Sequence, residues 1–189
     1  RLSRLTFRYL DGIGFQLRPV FSPKGDYFAY LSYDGIFPAL VIQRVANANT
    51  TSESRNERTV ALRQLRSSDF EQWYPLTNRL SFGPSGTVFL LTRKEGRPGI
   101  GQVSIEEGAL LDFQALPFDM IQYPVYDPES ETLLFTGVSG STSDLYALNW
   151  KTRKLQRLSA NPFHESDPIR KGQWIYFVSD SGDLKRPAD

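Results

Sequence analysis

Cysteine is absent from the 189 residues of this chain. Its absence excludes disulfide bonds, thiolate metal sites and a cysteine nucleophile. The chain also has almost no excess of one charge over the other. Its 22 Lys and Arg residues are nearly balanced by 21 Asp and Glu residues, which gives a formal net charge of +1. A chain with so little net charge has no general attraction for nucleic acid or anionic lipid. We therefore expect no nucleic-acid partner.

Long apolar runs are also missing. No run approaches the roughly 18 to 20 residues needed to cross a bilayer, so we expect no transmembrane segment. The only methionine is Met120, so we expect the natural polypeptide to include a segment before Arg1. Because 40% of the residues are hydrophobic and 13% are aromatic, the chain can nevertheless bury a core.

One short phrase recurs along the chain: an aromatic residue, a small or acidic residue, Pro, one further residue and Gly, followed by an apolar run. Two clear copies begin at Phe21 and Phe82, and two weaker ones begin at Tyr126 and Ile169. The four starting points are separated by 61, 44 and 43 residues. The long first interval contains 46–58, which is too polar to offset the cost of ordering and which we interpret as an inserted loop. The repeat length is therefore about 44 residues.

Each phrase predicts a tight turn between two strands, because Pro fixes φ and the Gly that follows tolerates positive φ. The apolar runs after these turns predict strands covered on both faces by neighbouring sheets. The strands predicted in this second position of each repeat are 27–31, 88–91, 132–135 and 174–178. Polar turns are predicted next, among them 94–96, 96–101 and 137–143. Third strands are predicted at 41–45, 101–105 and 145–150, and fourth strands at 60–65, 110–116 and 154–158.

Four short strands in about 44 residues are typical of one blade of a β-propeller. An ordinary sandwich or meander with coincidental Pro-Gly turns is the alternative.

Residues 144–159, DLYALNWKTRKLQRLS, resemble the end of a TolB-type repeat, in which an Ile-Tyr pair, a polar turn and Arg-Leu-Thr close the blade. Residues 18–25, RPVFSPKG, are similar to the opening of such a repeat. The chain thus resembles the TolB-type (WD40-like) β-propeller repeat family, with departures at Leu80, in place of a strand-opening Pro, and at Ser130, in place of Gly.

The resemblance implies an all-β propeller of four-stranded antiparallel blades, with about four blades in the chain. We expect one domain over 1–189, with repeats at about 16–67, 73–116, 121–159 and 164–189. Residues 1–6 resemble a blade-closing strand. Two arrangements are open: 1–6 complete the last blade of a small ring, or the chain is part of a larger propeller of six or more blades. We favour the larger propeller.

The inventory of chemical groups argues against catalysis within this chain. His164 is the only histidine, and its neighbours Ser166 and Asp167 are too close in sequence to favour triad geometry. No Gly-x-Ser-x-Gly nucleophile elbow, paired histidines or Asp-x-Asp run occurs. We therefore expect a chain that is not itself an enzyme and has no metal or cofactor.

Propellers hold partners with loops at the rims of the ring or at the mouth of the central channel. We therefore expect a noncatalytic scaffold that binds a protein or peptide, and the TolB resemblance implies the periplasm or another extracytoplasmic compartment. The predicted binding loops are 70–74, 118–123 and 163–167. Their candidate side chains are Trp73, Tyr74, Phe118, Asp119, Tyr123, His164 and Glu165. Trp73 and Tyr123 are the expected aromatic anchors, although blade packing is the alternative role for either.

Two other functions stay open. In the first, the chain is the propeller part of a prolyl-oligopeptidase or tricorn-like serine peptidase, with its catalytic domain outside this chain. In the second, the propeller binds carbohydrate and uses Trp and Tyr side chains as stacking platforms.

Overall fold

The computed structural model describes residues 15–33, 39–45, 58–63 and 77–181. Within these residues the chain forms four antiparallel sheets and no α-helix. The first sheet contains β1 (Phe15–Phe21), β2 (Tyr27–Tyr33), β3 (Ala39–Arg44) and β4 (Arg58–Arg63). The second contains β5 (Ser81–Phe82), β6 (Thr87–Lys94), β7 (Arg97–Ser104) and β8 (Leu110–Ala115). The third contains β9 (Met120–Asp127), β10 (Thr132–Ser139), β11 (Thr142–Asn149) and β12 (Leu155–Arg157), and the fourth contains β13 (Glu165–Lys171) and β14 (Trp174–Ser179).

Strand order in each of the first three sheets follows the order along the chain. This arrangement confirms the prediction of an all-β fold built from four-stranded antiparallel sheets. Residues 1–6 and 46–57, predicted to be a closing strand and most of an inserted loop, lie outside the described residues.

The second strand of each sheet explains how the sheets stack. Side chains alternate along a strand, so β6 sends neighbouring residues to opposite faces. Val88 and Leu90 join the core shared with the first sheet. Phe89 and Leu91 join the core shared with the third sheet. Because β6 is buried on both faces, its sequence is a continuous apolar run, as predicted.

Two predicted turns are shorter in the structure than in the sequence analysis. Residues 96–101 were predicted to be a turn, which is wrong, because the turn comprises only Glu95 and Gly96 and β7 begins at Arg97. Glu95 and Gly96 have φ values of 51° and 71°, as a tight two-residue hairpin requires. Gly99 allows β7 to lie close to β8, since a Cβ atom at this position would be only 2.3 Å from the carbonyl oxygen of Gln114.

The predicted turn at 137–143 is likewise too long. The structure places the turn at Gly140 and Ser141, and Gly137 lies inside β10. A Cβ atom on Gly137 would lie 2.7 Å from the ring of Phe118. Glycine is therefore needed at this position because an aromatic ring occupies the space of a side chain.

The predicted burial of β14, the second strand of the fourth sheet, is also wrong. We expected β14 to be covered on both faces, as β6 is. Instead, Trp174, Tyr176 and Val178 are 63%, 59% and 60% exposed. The side chains on this face of β14 have no neighbouring sheet against them among the described residues.

Polar contacts supplement the apolar packing between the second and third sheets. The indole Nε1 of Trp150 donates a hydrogen bond of 2.9 Å to Oε1 of Gln102. Gln102 Nε2 in turn donates to the hydroxyl of Thr87 at 3.0 Å. The Trp150 ring also meets the Phe89 ring edge-on, with centroids 4.9 Å apart. Trp150 therefore links the two sheets by both apolar and polar contacts.

Replacing Trp150 with Phe should lower the free energy of unfolding by about 1–2 kcal/mol, because the half-buried Gln102 oxygen loses its donor. Urea unfolding followed by far-ultraviolet circular dichroism measures this change. Trp174→Phe is the matched control, since the same change at an exposed site should stay within about 0.5 kcal/mol. Equal effects of the two substitutions would contradict a linking role for Trp150.

Candidate functional site

The first strands of three sheets share an irregularity. Arg18, Tyr123 and Asp167 have φ values of 56°, 52° and 57°, and each precedes a proline. The strand register shifts at each of these places, as in a β-bulge. Positive φ is uncommon for residues other than glycine and persists only where the surrounding structure holds it. Bulges of this kind turn one side chain out of its normal direction and are frequent beside functional sites.

The bulge positions of successive sheets come together. Arg79 stands 44 residues before Tyr123, which stands 44 residues before Asp167, so Arg79 is the corresponding residue of the second sheet. The guanidinium group of Arg79 forms an ion pair with the carboxylate of Asp167. It also lies 5.9 Å from the ring centroid of Tyr123, within the range of a cation–π contact. We call Arg79, Tyr123 and Asp167 the bulge cluster.

The bulge cluster is partly open to solvent. The side chains of Arg79 and Asp167 are 26% and 36% exposed, and Tyr123 is half-buried. One cation, one anion and one aromatic ring are therefore presented together by three consecutive sheets. Such a set can bind a charged chain end, a charged side chain or a peptide backbone.

Asn78 fixes the backbone next to Arg79. It is fully buried, and its amide Nδ2 donates to the carbonyl oxygen of Leu91 at 2.9 Å. Its Oδ1 accepts a hydrogen bond from the backbone N–H of the same residue at 2.8 Å. The backbone N–H of Tyr123 donates to the carbonyl oxygen of Thr77 at 2.9 Å. Arg79 and Tyr123 are thus held by adjoining backbone contacts.

A second polar network joins the third and fourth sheets. Arg170 Nη1 lies 3.0 Å from Oδ2 of Asp127 and 3.1 Å from the hydroxyl of Ser130. Ser130 also donates a hydrogen bond to Asp127. Burial raises the pKa of Asp127, but the hydrogen bonds from Ser130 and Arg170 outweigh it and hold this pKa below its ordinary value. The network therefore depends on an ionised Asp127.

Phe118 and Asp119 have structural contacts. We expected Phe118 to be an exposed binding residue, and this expectation of exposure is wrong: it is only 9% exposed and packs 4.5 Å from the ring of Tyr146, centroid to centroid. Asp119 is exposed, and its Oδ2 accepts a hydrogen bond of 2.7 Å from the backbone N–H of Gly140. Asp119 thereby stabilises the turn between β10 and β11.

His164 and Glu165 lie next to each other but in different environments. His164 is exposed, donates its backbone N–H to Asp180 at 2.8 Å and places Nδ1 3.4 Å from the Ser143 hydroxyl. Glu165 is 2% exposed and accepts a hydrogen bond of 2.5 Å from Asn161. Asp167, a neighbour that a triad would require, instead pairs with Arg79.

Trp73 and Tyr74 lie outside the described residues. Within the described ranges, the structure brings together no group of three His, Cys, Asp or Glu side chains suited to a metal ion. It also contains, in that part of the chain, no helix long and apolar enough to span a membrane.

A groove of about 740 Å³ separates the Pro-Gly turns of the first and second sheets. The hydroxyl of Ser22 donates to Asp26 at 2.6 Å, and this hydrogen bond lowers the pKa of the Asp26 carboxyl. The groove has apolar side chains and charges of both signs, namely Tyr27, Ile42, Phe82 and Ile105 with Lys24, Asp26, Arg44 and Glu106. These mixed charges do not select one kind of ion.

Sequence reasoning predicted Tyr123 but missed Arg79, Asn78 and Asp127. The signal for Arg79 was its spacing of 44 residues from Tyr123. In the other three sheets a proline follows the corresponding residue, whereas in the second sheet Leu80 follows Arg79. Nothing in the local sequence distinguishes Asn78 from a loop residue.

Comparison with solved structures shows a TolB-like propeller fold. Similar structures are TolB from Acinetobacter baumannii, with TM-score 0.62 and 17% identity over 82% of this chain, and a putative TolB from Agrobacterium tumefaciens, with TM-score 0.64 and 12% identity over 92%. A puromycin hydrolase matches with TM-score 0.61 and 17% identity over 87% of this chain. This chain covers only 35%, 58% and 25% of those three structures, respectively. No family model and no curated protein matches the chain.

The Asp127 network should make stability depend on pH. A carboxyl whose pKa is lowered by folding contributes stability above its unfolded pKa, and the contribution is lost as the pH falls through the lower folded pKa. The unfolding free energy of wild type should therefore exceed that of Asp127→Asn most clearly above about pH 5 and converge toward it below about pH 4. Urea titrations from neutral to acidic pH measure the difference.

Glu107→Gln is the control for this comparison, because Glu107 is an exposed turn residue. Its difference from wild type should stay small at every pH. A gap between wild type and Asp127→Asn that does not change with pH would show that the carboxylate charge is not what stabilises the network.

Proposed function

We propose that this chain is a noncatalytic interaction scaffold that binds a protein or peptide segment through the bulge cluster. The observation that supports the proposal is the convergence of Arg79, Tyr123 and Asp167 from three consecutive sheets. First strands of propeller blades surround the central channel, so a cluster on or directly before them is accessible to a chain that enters the channel mouth.

The chemistry of the cluster suits a peptide. A peptide offers carboxylate and ammonium ends, charged side chains and a polar backbone, and the cluster offers a partner for each. The Arg79–Asp167 ion pair is partly exposed, so separating it to bind a ligand costs little free energy, about 1 kcal/mol or less. Tyr123 supplies a rigid aromatic surface, which is common at binding hot spots.

The proposal includes an extracytoplasmic location. The resemblance of the repeats to the TolB type supports this part, as does the fold shared with structures named TolB.

A second function is favoured by the match to puromycin hydrolase and to a puromycin-hydrolyzing peptidase of Mycobacterium tuberculosis. In that case the chain would be the substrate-positioning propeller of a hydrolase whose catalytic residues lie in another segment. A longer natural polypeptide that contains this chain and hydrolyses puromycin would favour the peptidase. A longer polypeptide that lacks this activity but binds peptide would favour the scaffold.

Panning a random peptide library against the full chain tests the scaffold proposal. Selected peptides should bind Arg79→Gln or Asp167→Asn at least about tenfold more weakly than wild type in fluorescence anisotropy. Arg97→Gln is the control, because Arg97 is an exposed cation, 68% exposed, in a salt bridge with Glu95. It should leave peptide affinity unchanged.

A charge exchange separates binding from folding. The double variant Arg79→Asp with Asp167→Arg retains an ion pair, so its thermal unfolding should stay closer to wild type than that of either single variant. Its peptide affinity should still fall, because the positive charge is now at position 167 and the negative charge at position 79, so neither faces the ligand group that it bound in wild type. Undiminished binding by a folded double variant would contradict the proposed role of the cluster.

A further inference from the structure

The residue that directly follows the third strand differs in size between the first three sheets. Val45, Ile105 and Trp150 occupy corresponding positions, because each donates its backbone N–H to the carbonyl oxygen of the residue just before the second strand of its own sheet, at 2.7, 3.0 and 3.3 Å. Trp150 is buried between the second and third sheets. Ile105 packs against the core between the first and second sheets. An isoleucine therefore stands at the first boundary where a tryptophan stands at the second.

The residues that Trp150 contacts also have smaller or less polar counterparts. Trp150 meets the ring of Phe89 edge-on and donates its indole N–H to Gln102, and these two residues are paired across the second sheet. The corresponding pair of the first sheet is Ala29 and Ile42. The boundary between the first and second sheets thus lacks both the tryptophan and the aromatic ring against which it packs.

A cation covers Trp150, and no side chain covers the corresponding place beside Ile105. The guanidinium group of Arg153 lies 4.3 Å from the ring centroid of Trp150. Gly108 corresponds to Arg153, because both have φ near 60° and both donate their backbone N–H to the residue four positions earlier. Glycine has no side chain that could close this side of the boundary.

The result of these differences is the groove of about 740 Å³ between the Pro-Gly turns of the first and second sheets. Its apolar lining includes Ile42 and Phe82, which are 2% and 8% exposed, and the half-buried side chains of Tyr27 and Ile105. Pockets for small molecules typically measure about 300–1,000 Å³. The groove therefore offers an aromatic group the kind of place that the indole of Trp150 occupies one boundary further along.

Exposed charges of both signs surround this apolar lining. They are the cations Lys24 and Arg44 and the anions Asp26 and Glu106. In the described part of the chain, none of these four side chains forms a salt bridge. A hydrogen bond from Ser22 lowers the pKa of Asp26, which keeps this carboxylate charged. A small ligand that carries both a cation and an anion can satisfy such a rim, whereas a ligand with one charge meets repulsion from the like-charged groups.

We propose that this groove binds a free aromatic α-amino acid. The ring of the ligand lies against the apolar lining, its ammonium group faces the two carboxylates and its carboxylate group faces the two cations. This site is separate from the bulge cluster and takes a small molecule, so it goes beyond the proposed peptide-binding function.

Isothermal titration calorimetry of the full chain with tryptophan tests the proposal. Tryptophan should bind saturably and at least about tenfold more tightly than leucine, which lacks the ring, tryptamine, which lacks the carboxylate, and indolepropionate, which lacks the ammonium group. N-acetyltryptophanamide imitates a tryptophan within a peptide chain and should also bind at least about tenfold more weakly. Equal binding of this neutral compound would assign the groove to a peptide side chain and overturn the proposal.

A substitution that copies the second boundary should close the groove. Ile105→Trp should abolish tryptophan binding, because the new side chain takes the place intended for the ligand. Leu111→Trp is the matched control, since Leu111 is 52% exposed on β8 and does not line the groove, and it should bind as wild type does. Circular dichroism verifies that both variants are folded.

A second pair of variants changes only exposed charges, so folding is not at risk. Glu106→Gln should weaken tryptophan binding several-fold, because the ammonium group of the ligand loses one anion. Its neighbour Glu107 is exposed in the same turn but does not line the groove, so Glu107→Gln should leave the affinity unchanged. Absence of saturable tryptophan binding up to about 10 mM, equal binding of leucine, or unchanged binding by folded Ile105→Trp would each overturn the proposal.

Discussion

Packing of one sheet on the next is the interaction on which the rest of this structure depends. The second strand of the second sheet, β6, forms the wall between two cores, with Leu90 on one side and Phe89 on the other. Burial of apolar surface supplies the main stabilising free energy, and a single sheet cannot bury both of its faces alone. Each sheet is therefore stable only as a member of a stack.

The bulge cluster is a product of this stacking and not of any one repeat. A bulge in a single first strand turns only one side chain out of its ladder. Because stacked repeats place corresponding positions next to one another, Arg79 of the second sheet reaches Asp167 of the fourth, and Tyr123 of the third lies beside them. The repeat therefore creates a site from residues that are 44 positions apart in the sequence.

Much of the fold was predictable because its signals are local. Pro-Gly turns and apolar runs lie within a few residues of one another, so they indicated the second strands and the four-strand repeat. The misinterpreted glycines have causes distant in sequence: Gly99 adjoins the Gln114 carbonyl and Gly137 adjoins the Phe118 ring. The exposure of Trp174, Tyr176 and Val178 is set by what lies beside β14 in space, which its own apolar sequence does not reveal. Asn78 pairs with Leu91 across the sheet, and no sequence pattern indicates that contact.

The contacts between sheets also determine how the bulge cluster can bind without loss of structure. A ligand that takes Arg79 from Asp167 removes one link between the second and fourth sheets. The second and third sheets still share an aromatic core and the Trp150–Gln102 hydrogen bond, and the third and fourth still share the Asp127–Arg170 network. Because a partly exposed ion pair contributes about 1 kcal/mol or less, exchanging it for ligand contacts leaves the stack intact. The fold thus separates the contacts that hold the sheets from the contacts that are available to a partner.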